Sequence, residues 1–478
     1  MVVGELAHER DVVIIGGGPG GYHAAIRAAQ LGKSVTLIEK ENLGGVCLNK
    51  GCIPSKVFTE SAKKLTSVKD FGNFGIEGVS PTFHLTNLVN YKNKVVEQLR
   101  KGVESLCKAN KIELITGHAF FLSEFKIGVE SGDQYEIYRF KQAIIATGCS
   151  PYIPNEFAHV EDTLLLNPWT ITSLEELPEN LIVYGCDYIA LEMAMSFHSF
   201  GVEVTLVLDG EKEDLPFDDT INRELLRILK KSKIKVIKGA QVLDVSSVAE
   251  ECTLNLVVKG EPVQVRGSKV FVSAGYAPNT KELGLERMGV SMNDNGFILA
   301  NKHCQTSLSH IFAVGDVTGG PQLAVKAIKE GKVAAEMCAG LSSEVDLTFL
   351  PIIAKTLPPI AVVGLTEKEA LQQGYEIQTG QFSVAGNGYA TLIGQKDGLV
   401  KVVMDQKTNV LLGMHIIGEG ATELISMGTT ALEMVARDED LAFPLYPHPS
   451  MNEAILEAIE ALKDQAIHTA PKRVKDKV

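Results

Sequence analysis

Two stretches of the chain repeat one order of apolar and polar positions. Residues 11–15 (DVVII) are a short apolar run ending in glycines. GYHAAIRAAQLG follows, with the small residues of a helix packed closely on a sheet, and SVTLIEK reads as the next strand, so the three segments predict a βαβ unit. The order returns over residues 181–208 as LIVYG, YIALEMAMSFHSFG and VEVTLVL. A fold unit duplicated at this distance is not a short solenoid repeat; it predicts two Rossmann-like domains, starting near residues 10 and 180.

Between the units, QAIIATGCSPYIP (residues 142–154) reads as a strand entering a Gly and Pro turn, and VFVSAGYAPNT closes the second unit alike near residue 280. HIFAVGDVTGGPQLAVKAIKEGKVAAE (310–336) predicts a strand, an Asp-bearing turn and a helix that bring the chain back to a ligand. From about residue 350 short β-type runs (AVVGLT, FSVAGN, LVKVVM, LLGMHIIG) precede helical ATELISMGTTALEMVA, an α+β pattern. The expected fold is α/β, with dinucleotide-binding domains over 1–150 and 151–280, a central segment 281–350 returning to the first, and an α+β domain over 351–478. In EAILEAIEALK, Ile455, Ala458, Ile459 and Leu462 share one stripe that reads as core or dimer packing.

Composition narrows the function. At 478 residues, 45% hydrophobic and 22% charged, this is an ordinary globular chain long enough for about three domains. A net charge of −13 argues against a nucleic-acid surface, since phosphate contacts need clustered Lys and Arg, and the one basic cluster, PKRVKDKV, reads as a solvated tail. MVVGELAHERD lacks the apolar centre of a signal peptide, and no apolar run approaches the ~20 residues of a membrane span, so a cytoplasmic location without membrane contact is expected. Eight scattered cysteines do not make a secreted disulfide framework; in a reducing compartment a close pair points to catalysis or metal binding.

Gly16, Gly18 and Gly21 fit GxGxxG, in which the first glycine makes the tight turn, the second admits a pyrophosphate and the third lets helix and strand pack closely. Glu39, 23 residues after Gly16 at the end of the next strand, is placed to accept from an adenosine ribose hydroxyl. Just downstream, GGVCLNKGCIPSK holds Cys47 and Cys52. Zinc would need a second pair or histidines, and none follows within thirty residues; two unrelated buried thiols are the plainer alternative. A redox pair fits better, because a helix beginning after Cys47 would lower a thiolate pKa and place sulfur near an acceptor.

These features, with ATG at 146–148, AVGDV at 313–317 and HPSMNEA at 448–454, run almost the whole chain in one order, and the sequence resembles the flavin-dependent pyridine nucleotide-disulfide oxidoreductases. CLNKGCIPSK is most similar to the branch that oxidises dihydrolipoyl groups. The resemblance implies FAD at the first unit, with Glu39 on the ribose, Ala119, Thr147 and Gly148 along the cofactor, Lys56 near the flavin, Asp316 on the ribityl chain and the Ala324 backbone facing the ring. It also implies that Cys47 exchanges with a dithiol while Cys52 forms a charge-transfer contact to flavin, and that no metal takes part. His448, held between Pro447 and Pro449, and Glu453 match the family's base and its orienting carboxylate. In that family the pair crosses a twofold axis to the partner's cysteines, which implies a homodimer. The chain carries no lipoyl-lysine module, so the lipoyl group is expected on a partner, a protein of a 2-oxoacid dehydrogenase-type complex.

By the same resemblance the second unit is the NAD site, with Gly185 in its turn and Glu192 paired to Lys56. Asp187 stands where the second glycine belongs and Ala190 where the third belongs. Two unit charges ~4 Å apart repel by about 1 kcal/mol in water and about 4 kcal/mol at an effective dielectric near 20, so Asp187 is expected to weaken NAD. Leu208 occupies the ribose-acceptor position, with Asp209 beside it, and Tyr276 stands where the family usually has Arg. Lys50, Val325, Tyr389 and Tyr446 are further departures. The expected activity is FAD-dependent oxidation of dihydrolipoyl groups through the Cys47–Cys52 disulfide, with weak NAD use. Rival readings are the same chemistry with another electron carrier, and an FAD-bearing subunit without turnover; a positioned base speaks against the latter.

Overall fold

The structure, a computed structural model, describes residues 7–209, 215–248 and 251–470. Its first sheet has the order Glu113–Thr116, Val35–Glu39, Ala7–Ile15, Gln134–Ile145, Lys126–Ser131, His118–Ser123. Ile311–Ala313 adds as a parallel neighbour of Gln134–Ile145. Val12, Val13 and Ile14 are fully buried, because this central parallel strand is covered on both faces and so reads as a continuous apolar run. The helix Pro19–Gln30 lies over it, burying Gly20, Gly21, Ala24, Ala25 and Ala28. It packs on the helix Ala324–Cys338 so closely that a methyl group on Gly331 would stand 2.3 Å from the Gly20 carbonyl oxygen. The expected return of the chain thus has a physical basis: a late strand joins the first sheet and a late helix closes on the first helix.

The second sheet places Asn180–Tyr184 between parallel Glu203–Asp209 and Lys269–Val272, with Lys235–Val248 next outward and two antiparallel strands beyond. The helix Tyr188–Ser199 is apolar almost all round and buries eight consecutive residues, Ala190 to Phe197. It needs no amphipathic stripe, because it is wedged between its own sheet and the helix Cys52–Ser67. There Phe58, Phe197 and Phe200 meet with ring centroids 6.0 to 6.1 Å apart, in the range of favourable aromatic pairs. That contact fixes the cysteine-bearing helix against the second unit.

A five-stranded antiparallel sheet, Ile352–Ala354, Ile360–Gly364, Leu411–Ile417, Leu399–Asp405 and Ile377–Ser383, forms the C-terminal part. The helices Ala421–Glu433 and Glu453–Glu460 cover it. Ile455, Ala458, Ile459 and Leu462 are all buried against this sheet, so the stripe is core packing. Among the described residues no helix is long and apolar enough to cross a membrane.

Candidate active site

A cavity of about 910 Å³ runs along the first glycine turn to the cysteine pair. Gly16, Gly18, Glu39, Cys47, Cys52, Lys56, Ala119, Thr147, Gly148, Asp316 and Ala324 all line it. The turn is built for a ligand at one position and for packing at the others. A methyl on Gly16, whose φ is +101°, would sit 2.3 Å from the Ala146 carbonyl oxygen, and one on Gly21 would sit 1.8 Å from the Gly16 carbonyl oxygen. Gly18 has an extended backbone (φ −69°, ψ −176°) that any residue adopts, and a methyl there would meet only Gly45 Cα, at 3.9 Å. The space beside Gly18 is therefore the cavity itself, at a helix N-terminus that no side chain caps, which is the arrangement an anionic pyrophosphate requires.

The rest of the cavity wall also fits FAD. Glu39 accepts the Gly17 amide at 2.7 Å and the Glu41 amide at 2.8 Å, which locks its carboxylate at the strand end beside the turn. Asp316 faces the cavity with its carboxyl pushed up by burial, against the pull of Lys326, and no described residue donates a hydrogen bond to it. A half-buried carboxyl left open in this way suits a polyhydroxyl chain.

Cys47 and Cys52 are joined, with Cα atoms 4.6 Å apart. The expected helix start falls one cysteine later than the sequence reading has it. Cys47 sits inside the short helix Gly45–Asn49, the backbone breaks at Gly51 (φ −117°, ψ −103°), and a new helix begins at Cys52. The helix N-terminus therefore favours a thiolate on Cys52, with Lys56 one turn on. Four of the six other thiols are no competitors: burial pushes Cys107 up to about 11 and Cys149, Cys304 and Cys338 up to about 12, which keeps them protonated at neutral pH.

Glu192 lies outside the cavity wall but holds it in place. Its carboxylate, fully buried, accepts Lys56 Nζ at 2.9 Å through both oxygens and the Lys355 amide at 2.7 Å. Removing the cation leaves a buried carboxylate without its counter-charge, so Lys56→Met is expected to lose roughly 3 kcal/mol of stability. Thermal melting of the FAD-loaded protein checks this. The double change with Glu192→Gln should recover part of the loss, and an unchanged melting temperature in the single variant would rule the effect out.

His448 and Glu453 do not line the cavity of their own chain. His448 Nδ1 lies 2.8 Å from Glu453 Oε1, the Ser450 amide donates to Oε2 at 2.9 Å, and the imidazole is 81% exposed. Burial pulls the Glu453 carboxyl up, but the His448 and Ser450 hydrogen bonds outweigh it and hold the group below its ordinary value. Phe443 and Leu445, just upstream, are 90% and 100% exposed, an apolar surface beside the His448–Glu453 pair.

The second unit repeats the turn with a different content. Gly185 stands as Gly16 does, where a methyl would lie 2.3 Å from the Ser273 carbonyl oxygen. Asp187 has nearly the backbone of Gly18 (φ −74°, ψ 171°), but its carboxyl caps the helix Tyr188–Ser199. Ala190 is fully buried, and its small methyl is accommodated at the third position, so it is no defect in the turn. Leu208 is fully buried, and Asp209 pairs with the Tyr184 hydroxyl instead of presenting a free acceptor.

Three cavity residues carried no legible motif. Tyr188 places its ring 5.7 Å from Lys56 Nζ, and only its position directly after the second turn hinted at a role. Trp169, the single tryptophan, lies under Lys50 Nζ at 4.5 Å, while that ammonium pairs with Glu41 at 2.6 Å. Tyr276, noted only as a departure, also lines the cavity. Val325 lines it too, half exposed, whereas the Tyr446 hydroxyl donates to the Leu441 carbonyl at 2.7 Å and serves local structure. Nothing in the structure explains Tyr389.

The family model for pyridine nucleotide-disulphide oxidoreductases matches residues 10–331, and that for their dimerisation domain matches residues 350–459. A dihydrolipoyl dehydrogenase of Geobacillus stearothermophilus is 38% identical over 99% of this chain and all of that protein. One from Thermus scotoductus is 39% identical over 96% of this chain and 98% of its own length. Among solved structures, LpdA from Mycobacterium tuberculosis superposes with a TM-score of 0.87 at 25% identity, covering 95% of this chain and 100% of that one. The HOCl-induced flavoprotein disulfide reductase RclA from Escherichia coli, as a Cu(II) complex, gives 0.85 at 26%, covering 95% and 99%.

Proposed function

Since the chain belongs to the pyridine nucleotide-disulfide oxidoreductases, a family of FAD- and NAD-binding enzymes, we propose that it oxidises protein-bound dihydrolipoyl groups through the Cys47–Cys52 disulfide. The observation that carries this reading is the disulfide seated in the wall of an FAD-shaped cavity, with a helix N-terminus and Lys56 behind Cys52. A substrate thiolate attacks Cys47 Sγ, the Cys47–Cys52 bond breaks, and Cys52 leaves as a thiolate. The second substrate thiol then displaces Cys47 from the mixed disulfide, so the substrate gains a disulfide and loses two electrons and two protons. Bound FAD supplies the two-electron acceptor for the reduced pair.

The chain forms a homodimer, in keeping with its dimerisation domain. His448 of the partner subunit takes the substrate proton, because this imidazole is solvent-facing in its own chain and absent from its own cavity wall. Glu453 holds Nδ1, which leaves Nε2 as the base. The lipoyl group arrives on a lipoyl-bearing protein of a 2-oxoacid dehydrogenase-type complex, and the protein acts in the cytoplasm. Anaerobic stopped-flow with dihydrolipoamide tests the reading: the flavin absorbance of the FAD-loaded protein should bleach rapidly, while NADH bleaches it slowly or only at high concentration. A flavin indifferent to dihydrolipoamide would sink the proposal.

A further inference from the structure

The two glycine turns of this chain are an internal control for one another. Both open a helix from the same extended backbone, at Gly18 (φ −69°, ψ −176°) and at Asp187 (φ −74°, ψ 171°). Both begin with a glycine pressed 2.3 Å, at its would-be methyl, from the carbonyl of the neighbouring strand, Ala146 in one and Ser273 in the other. They differ in what lies at the helix N-terminus. At the first, no side chain caps the helix and a methyl on Gly18 has no protein atom nearer than 3.9 Å. At the second, Asp187 Oδ1 accepts the Ala190 amide at 2.8 Å and Oδ2 accepts the Ser273 hydroxyl at 2.7 Å.

We infer that Asp187, tethered by Ser273, is a built-in occupant of the pyrophosphate seat of the second nucleotide unit and makes that unit select against dinucleotides. The inference rests on reading the second unit as the family's nicotinamide site, and it goes beyond weak NAD use by assigning the cause to one residue. Occupancy does the work, not charge alone. Burial pushes the Asp187 carboxyl up, against the Ser273 and backbone hydrogen bonds, and in either protonation state it fills the seat and satisfies the amide. A pyrophosphate arriving there would have to displace two hydrogen bonds before making its own. The adenosine end offers no compensation, since Leu208 is buried and Asp209 is engaged by Tyr184.

The test uses ADP-ribose, a pyrophosphate-bearing and redox-inert probe, with adenosine, which carries no phosphate, as its control, in calorimetric titrations of the full-length FAD-loaded protein. In the native protein ADP-ribose should bind no better than adenosine. Asp187→Gly should tighten ADP-ribose by at least about tenfold and leave adenosine unchanged, the scale of one charge-assisted hydrogen bond. Asp187→Asn, which keeps the seat filled, should stay close to the native protein. Native protein that binds ADP-ribose ten times tighter than adenosine would overturn the assignment, and that comparison holds even if the glycine change prevents folding. So would no gain in Asp187→Gly, or an equal gain in Asp187→Asn. Bleaching of the flavin by dihydrolipoamide in the same preparations reports on the disulfide chemistry separately: its loss in the native protein would refute that reading and leave the Asp187 result standing.

Discussion

Serine in place of Cys47 or of Cys52 is expected to lower dihydrolipoamide oxidation by ~10⁴-fold or more, because each change removes one sulfur of the disulfide through which the proposed reaction passes the substrate's electrons. The two variants should nevertheless differ in colour. Cys52 opens the helix Cys52–Ser67 with Lys56 on the next turn, so in Cys47→Ser it persists as a thiolate beside the flavin and should give a long-wavelength absorbance band. In Cys52→Ser the remaining sulfur lies inside the short helix Gly45–Asn49, without that N-terminus, and the band should be missing. Spectra of both variants with FAD bound check the assignment. A band in Cys52→Ser and none in Cys47→Ser would exchange the two roles.

The base should matter nearly as much. Replacing His448 by Gln should cost about 10²- to 10⁴-fold in turnover, the usual contribution of a positioned general base. Glu453→Gln should cost less, because the imidazole remains and loses only its orienting carboxylate, which accepts from both His448 and the Ser450 amide. The carboxyl is held below its ordinary 4.5, so the pair is fully formed above pH 4.5 and is lost only as pH falls through the lowered value. Mixed dimers test whether the base acts across the twofold axis. A hybrid of Cys47→Ser and His448→Gln chains contains one site with intact cysteines facing an intact base, so random mixing should restore about a quarter of native activity. If His448 served its own chain, every site in the hybrid would lack one group and no activity would return.

Much of this site was legible in the sequence, because its chemistry sits in short local motifs. GxGxxG sets a turn whose geometry follows from the missing side chains, whereas the roles of Cys47, Cys52, His448 and Glu453 are implied by the resemblance of their motifs to the family. The damaged second turn was visible too, but its meaning was not. From the sequence Asp187 is a stray charge and Ala190 a second defect; in the fold Ala190 is a tolerated methyl and Asp187 is bonded to Ser273, 86 residues away. Tyr188 and Trp169 carry no motif and reach the cavity only because the second unit packs beside the first.

By itself, then, the sequence determined the duplicated α/β units and the close cysteine pair, since local backbone preference and side-chain chemistry depend on neighbours along the chain; the candidate base came from the family resemblance. The tertiary structure alone decided which cysteine opens a helix, that the Lys355 amide also meets Glu192, and what fills the second phosphate seat. Those outcomes depend on which groups, distant in sequence, come within 3 Å of each other, where burial makes every polar group find a partner.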